Sequence, residues 1–430
     1  MSMKTEYFER LQETVYRHVL DNGLTVCVLP KKGFHKTYAT FTTQYGSIDN
    51  HFKPFYSEHW LQVPDGIAHF LEHKMFEQPD GTDVFQVFSR QGAESNAFTT
   101  FTRTSYLFSS TSHVEKNIET LLNFVQEPGF TEQSVEKEKG IIGQEIRMYN
   151  DNPDWRVYFG LIENLYHTHP VRVDIAGTVS SISHITKDLL LDCYRTFYHP
   201  SNMVLFVVGP VDPEKIIALV EANQQAKNYD DAPPIERRYP DEPKTAYQKE
   251  SVLKMAVQTP KCMIGFKEGR VHREGGDLLR HELAVQILLE VMFGKSSENY
   301  QALVDEGLID DSFSFEYTEE HEFGFSAVGG NTEDPDRLSE RLLEIVRAAK
   351  SGALDEESLH RVRKKKIGSF LKALNSPEFI ANQYTRYFFN KMNLFDTVSA
   401  LEKLTADDLV TVLNDHFKEE AFSQCKVVKK

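Results

Sequence analysis

Residues 230–245, DDAPPIERRYPDEPKT, constrain this chain more than any other stretch. Four prolines among alternating charges deny the segment a helix, because proline lacks an amide proton and clashes with the preceding turn. They equally deny it a place as a central strand. A linker is expected there. It divides the 430 residues into an N-terminal domain over 1–229 and a C-terminal domain over 246–430, each a usual size for one hydrophobic core.

The two halves repeat an order of elements. In the first, the strand-like run VLFVV at 204–208 reaches Gly209, and Asp212-Pro213-Glu214 opens an apolar-periodic helix. In the second, FGFSAV at 323–328 reaches Gly329 and Gly330, and Asp334-Pro335-Asp336 opens RLSERLLEIV. Asp as N-cap with Pro in the first turn starts a helix in both. Strands at 24–29 and 261–267 begin the halves. Each half also holds an apolar helix ending in Met-Phe, GIAHFLEHKMF at 66–76 and HELAVQILLEVMF at 281–293. Two duplicated α+β domains are predicted, and only the first of these helices carries a metal-type set of side chains.

Composition excludes several classes of function. Lys plus Arg total 48 against 64 Asp plus Glu, a formal charge of −16, the wrong sign for displacing counterions from nucleic acid or an anionic membrane. No apolar run reaches the roughly 18 residues of a membrane-spanning helix. The first twenty residues are charged throughout and predict no secretory signal. Cys27, Cys193, Cys262 and Cys425 stand far apart without a C-x-x-C, which removes thiolate zinc knuckles and redox motifs. Reduced thiols and a cytoplasmic location are expected. Neither G-x-x-x-x-G-K-[ST] nor G-x-G-x-x-G occurs, so nucleotide cofactors have no support.

The chemistry-bearing run is His69-Phe70-Leu71-Glu72-His73, preceded by Pro64-Asp65-Gly66, where Asp65 is a candidate helix cap. At about 100° per residue, His69 and His73 share one face, roughly 40° apart. Imidazoles at i and i+4 can chelate a zinc ion, and Glu72 lies near enough to take a proton from a water on that ion. The order H-x-x-E-H reverses that of the common zincins. The alternative is an amphipathic helix with merely hydrogen-bonded histidines. A catalytic zinc needs a third protein ligand. Glu138 and Glu145, seven apart on a helix predicted over 131–149, stand in line two turns apart. One could bind metal while the other orients a ligand; alternatively Glu136, Glu138 and Glu145 form a solvated charged face.

Together these segments resemble the inverzincin zinc metallopeptidases of the pitrilysin and insulinase group, in particular the two-domain bacterial branch similar to the mitochondrial processing peptidase. The likeness rests on H-x-x-E-H at 69–73, EKGIIGQEI at 138–146, GAESNAFTTFTRTSYLF at 92–108, AGTVSSI at 176–182 and FYHPSNMVLFVVGPVDPEKI at 197–216. It is strong over the first half and loose over the second. The resemblance implies Zn2+ held by His69, His73 and Glu145, with Glu138 behind them and Glu72 as general base. It also implies two domains, each a mixed or antiparallel sheet packed by helices and arranged as a clamshell around a chamber. The β-branched and aromatic residues at 99–108 favour a strand. By resemblance it is an edge strand on which a peptide pairs as an added strand, with Asn96 and Ala97 flanking the scissile bond; a turn-closing Asn96 is the alternative.

One departure stands out. The family's second domain supplies an arginine and, shortly after it, a tyrosine near the zinc, as stabilisers of developing charge. Here Val304 and Asp310 occupy those positions, with Tyr300 or Tyr317 as conceivable substitutes. The expectation is a zinc-dependent endopeptidase for peptides or short unfolded segments, working as the metal-bearing subunit of a heterodimer whose homologous partner brings the arginine and tyrosine; a homodimer is the variant. The rival is a catalytically degenerate binding or structural subunit. His167-Thr168-His169 reads as a loop rather than a second metal pair, and the basic run at 361–366 as a solvated helix face.

Overall fold

A computed structural model describes residues 3–352 and 354–430. Its contacts define two compact units. The first comprises Met1–Ile146, Asp174–Arg238 and Ala373–Phe389; the second comprises Arg147–Val173, Tyr239–Lys372 and Asn390–Lys430.

Among the described residues, ten strands belong to the first unit: β1 (Lys4–Phe8), β2 (Glu13–Val19), β3 (Thr25–Pro30), β4 (Thr37–Thr43), β5 (His51–Lys53), β6 (Leu61–Gln62), β7 (Ala93–Thr99), β8 (Thr104–Ser110), β9 (Met203–Gly209) and β10 (Glu236–Arg237). Seven of them form a sheet in the order β1-β2-β3-β9-β4-β8-β7. Only the β3–β9 pair is parallel. Every residue of β4 and β9 is buried. Successive residues of a strand face opposite ways, so both faces of the sheet's centre are covered. Helix α1 (Ile67–Met75) packs on β7 and β8. Helix α2 (Glu132–Asp151) belongs to this unit as far as Ile146.

The second unit carries β11 (Glu250–Met255), β12 (Lys261–Lys267), β13 (Ser314–Glu319), β14 (Gly324–Asn331) and β15 (Phe422–Lys429), in the order β11-β15-β12-β14-β13. Again one pair, β11–β15, is parallel and the rest are antiparallel. This reproduces β3-β9-β4-β8-β7 strand for strand, with α3 (Gly275–Phe293) between β12 and β13 as α1 lies between β4 and β7. The duplication is therefore topological, but two of the sequence matches pair the wrong strands. Residues 261–267 correspond to β4, not to the strand at 24–29, and β9 corresponds to β15, not to β14. Strand, glycine and Asp-Pro mark any strand-to-helix passage, so that signature identified a local transition and not a shared position.

The units also depart from a continuous division at 230–245. The third helix after β8, Pro153–Leu165, packs on β11, β12 and β15, and the third after β14, Pro377–Phe389, packs on β4 and β9. Nor is the proline-rich stretch bare. Glu236 and Arg237, clear of its prolines, add β10 to the edge of a small sheet β10-β5-β6, and Arg237 Nε donates to Asp49 at 2.9 Å. Among the described residues no helix is long and apolar enough to cross a membrane.

Glu242, from the same stretch, closes a turn of the second unit. Its carboxylate accepts the backbone N–H groups of His167, Thr168 and His169, each at 2.8 Å, and pairs with Lys267. His167 and His169 are thus parts of a loop, His167 directed to the Thr245 carbonyl and His169 buried. Burial would raise the Glu242 pKa, but the Lys267 ammonium and then the three N–H groups prevail and bring it from 4.5 to about 2. Burial pulls Lys267 down despite its partner. A depressed carboxylate stabilises the fold above its unfolded pKa and loses that contribution as pH falls through the folded value. The thermal midpoint should therefore drop between about pH 4.5 and 2, and Glu242→Gln should flatten that part of the profile in a calorimetric series.

Candidate metal centre

Helix α1 starts where it does because Gly66 adopts φ 88°, a left-handed conformation that penalises residues bearing a side chain. A Cβ there would also lie 2.4 Å from the Ala176 carbonyl oxygen. Asp65 does not cap the helix as expected: Gly66 is the cap residue and no side chain bonds the first turn. Asp65 is drawn to other loops instead, its carboxylate accepting Asn50 Nδ2 at 2.8 Å and its carbonyl accepting the Ser181 hydroxyl at 2.9 Å. Seven of the nine residues of α1 are buried, Glu72 and Lys74 among them, so its polar groups must find partners inside the unit.

Glu72 and His73 find them on β7 and α2, while His69 Nδ1 is buried without a hydrogen-bond partner. Ligand atoms of His69, His73 and Glu145 all lie within 4.8 Å of one another. His69 Nε2 stands 3.6 Å from Glu145 Oε1, and His73 Nε2 stands 3.7 Å from Glu145 Oε2. Both exceed hydrogen-bonding distance, and both approximate the edge of about 3.3 Å between ligands of a tetrahedral ion bonded at about 2.0–2.1 Å. Glu138 approaches the other nitrogen of His73, 3.1 Å from Nδ1, the outer-partner arrangement that fixes a metal-binding imidazole's tautomer. Lys74 pairs with Glu77 and lies 3.7 Å from Glu138 Oε2. The charged-face alternative holds for Glu136 alone, which is exposed and bonds Lys139.

Burial, then the charge of His73, lowers the His69 pKa to about 4. That imidazole stays neutral and keeps a lone pair near neutrality, as a metal ligand must. For His73 burial acts downward, but the Glu138 hydrogen bond and the charges of Glu72, Glu145 and Glu138 outweigh it, and its pKa rises. Burial raises that of Glu72, against the Thr99 hydrogen bond and the charge of His73. Two imidazoles and one carboxylate suit zinc, so the donor set fits the metal the sequence implies.

Sequence reasoning placed Thr99 in a strand but missed its contact. Thr99 Oγ1 donates to Glu72 Oε2 at 2.7 Å. The strand's period of two was the available signal, since it puts Ala97 and Thr99 on one face. β7 is the edge of the seven-stranded sheet, and Asn96 sits within it, its Oδ1 accepting the Ala97 N–H at 2.9 Å, rather than closing a turn. A cavity of about 470 Å3 beside Asn96 and Ala97 is lined also by Tyr38, Leu107 and Asn382. In the second unit Val304 is exposed. Asp310 accepts from Ser312 and Asn331. Tyr317 is no substitute for a missing tyrosine: it is buried and its hydroxyl is committed to Glu268 and Glu319.

This fold and this donor set define a metallopeptidase-like chain, and comparison with known proteins agrees. A family model described as Insulinase (Peptidase family M16) matches residues 62–179, and one described as Peptidase M16 inactive domain matches 184–366. The uncharacterized zinc protease YmfH of Bacillus subtilis is 59% identical over 98% of each chain. The zinc protease PqqE of Helicobacter pylori is 25% identical over 82% of this chain and 81% of its own. The solved structure of an M16-like peptidase from Alicyclobacillus acidocaldarius superposes with a TM-score of 0.94 at 41% identity, covering 100% of this chain and 99% of that one. The chain belongs to the M16, or insulinase, peptidase family.

Removing the Thr99 bond should leave Glu72 with burial less opposed. In metal-free protein carrying 13C-labelled glutamate, Thr99→Val should move the Glu72 carboxyl titration to higher pH, while Thr99→Ser leaves it near the wild-type position. An unmoved titration in Thr99→Val would show that the contact does not tune Glu72.

Proposed function

We propose that this chain is a zinc-dependent endopeptidase for peptides or short unfolded segments and acts as the metal-bearing subunit of a heterodimer. The observation that carries the reading is the convergence of His69, His73 and Glu145 beside a buried Glu72. The relatives named zinc proteases support zinc as the metal. His69, His73 and Glu145 hold it, and Glu138 fixes the orientation of His73. When bound, zinc supplies Lewis acidity, polarising a carbonyl and bringing the pKa of a water toward about 7.

The chain's own residues do the rest. Glu72 accepts the proton of the attacking water and delivers it to the leaving amine. Thr99 keeps the Glu72 carboxylate aimed and solvated in a site where water is scarce. The edge strand β7 offers unpaired backbone groups to an extended peptide, which recognises main chain more than sequence. Asn96 and Ala97 lie beside the bond to be cut, and folded proteins are poor substrates because their backbone is already paired.

The partner follows from Val304 and Asp310. An exposed valine and an engaged carboxylate cannot donate hydrogen bonds to a developing oxyanion, so a homologous chain provides the arginine and tyrosine; a second copy of this chain lacks them too. Four free, buried cysteines fit a reducing compartment, and we place the protein in the cytoplasm.

By elemental analysis, His73→Ala and Glu145→Gln should each hold about one zinc ion per chain fewer than wild type, or hold that ion more weakly. Glu72→Gln should retain the metal yet lower turnover by the assembled complex roughly 10²–10⁴-fold. Full activity in Glu72→Gln would remove it from the mechanism. Absence of hydrolysis by wild type with every homologous partner would favour a degenerate binding subunit instead.

A further inference from the structure

We propose that His272, His321 and Glu322 form a second metal site, within the second unit, for a divalent transition ion of the kind imidazole prefers, Zn2+, Ni2+ or Cu2+. Ligand atoms of the three lie within 4.8 Å of one another. His321 Nδ1 is 2.7 Å from Glu322 Oε1, and His272 Nδ1 is 3.6 Å from the same oxygen. The two separations bracket the edge of about 3.3 Å expected between ligands of a tetrahedral zinc. The imidazole rings stand 5.0 Å apart, tilted at 56°, so they are not stacked on one another.

A hydrogen-bonded His321–Glu322 pair accounts for two of these groups and leaves the third unexplained. His272 faces the shared carboxylate from outside hydrogen-bonding reach, on a backbone of φ 65° that residues other than glycine seldom adopt. Its N–H donates to the His321 carbonyl at 2.7 Å, which ties the loop before α3 to the turn between β13 and β14. An ion held by both histidines would staple the same two segments through their side chains.

The surroundings suit an exchangeable site. His272 and His321 are 61% and 51% exposed along their side chains, and Glu322 is 19% exposed, which leaves an entry path and room for water ligands. Behind Glu322 lies buried His169, whose ring is 5.8 Å from Phe323. Its Nδ1 accepts the Val171 N–H at 3.1 Å, which leaves the proton on Nε2, and that nitrogen has no hydrogen-bond partner. His169 is within electrostatic reach of Glu322, and ligating carboxylates are commonly supported by groups beyond the metal's own ligands.

The other imidazole–carboxylate cluster of this unit differs. Glu268, His281 and Glu319 are equally close, but Arg273, Tyr317 and His416 already bond the two carboxylates. That cluster carries its own cation, Arg273, against both carboxylates.

The test separates this site from the one on α1. Zinc uptake is measured by equilibrium dialysis in full-length His73→Ala, with and without His272→Ala and His321→Ala, alongside Glu322→Gln in the His73→Ala background. The surface histidines can be replaced without disturbing a core, and circular dichroism checks the fold. His73→Ala should still bind about one zinc ion per chain, with a thermal midpoint that rises with added zinc. Both effects should vanish in the triple variant and weaken with Glu322→Gln. No uptake by His73→Ala, or uptake that survives in the triple variant, would overturn the assignment and leave the reading of the α1 site untouched.

Discussion

Ionisable groups buried on one short helix set the terms for the whole first unit. An unpaired charge away from water costs several kcal/mol, so each polar residue of α1 requires a partner from a distant segment. Thr99 of β7 serves Glu72, Glu138 of α2 serves His73, and Lys74 turns to Glu77 and Glu138. These demands fix registers. A one-residue slip of β7 would present Phe98 to Glu72 in place of Thr99, since successive strand residues face opposite ways. Along α2, seven residues span about 10 Å, which lets Glu138 and Glu145 address the two nitrogens of His73 from one helix face. The same spacing that a metal site needs is thus also what burial of His73 needs.

The helix bearing His69, Glu72 and His73, the paired glutamates beside it and the duplicated α+β plan were legible in the sequence, because each is written in a local period: i, i+4 for His69 and His73, seven for Glu138 and Glu145, and an order of strands and helices in each half. Contacts that join distant segments were not. The period of two gives the face on which Thr99 stands, but no local pattern says that its hydroxyl meets Glu72 twenty-seven positions earlier. The Asp65 cap failed for a similar reason. Asp-Gly before a helix suits either residue as cap, and the choice fell to Gly66 through a tertiary approach to Ala176. Strand correspondences failed because β9 and β14 both run into glycine shortly before an Asp-Pro helix start, Gly209 in one and Gly329-Gly330 in the other, although one is a central parallel partner and the other lies beside an edge.

The proline-rich stretch shows how far composition can be trusted. Prolines correctly denied it a helix, yet they left Glu236, Arg237 and Glu242 free to act. An arginine that reaches Asp49 and a glutamate that gathers three backbone N–H groups do as much for their units as a regular element would. Fixing such a segment costs conformational entropy, and prolines reduce that cost by narrowing the unfolded chain. Their presence argues for a strap held at chosen points as well as for a linker.

The two units give contrasting answers to one problem, the burial of carboxylates beside imidazoles near the helix that follows the sheet's central strand. In the second, Arg273 donates to Glu319 and Glu268, while His281 and His416 flank Glu268. Burial opposes it, but His281 and His416 hold Glu268 far below the usual carboxylate range, whereas burial lifts Glu319 to about 7. Adjacent carboxylates commonly split in this way, because two like charges at close range cannot both be accommodated. A guanidinium is always charged and geometrically fixed, so that cluster is complete as translated. The first unit instead brings two imidazoles and a carboxylate together at ligand-edge separations with no guanidinium among them. The same five-stranded frame thus closes one cluster with an internal cation and leaves the other without one.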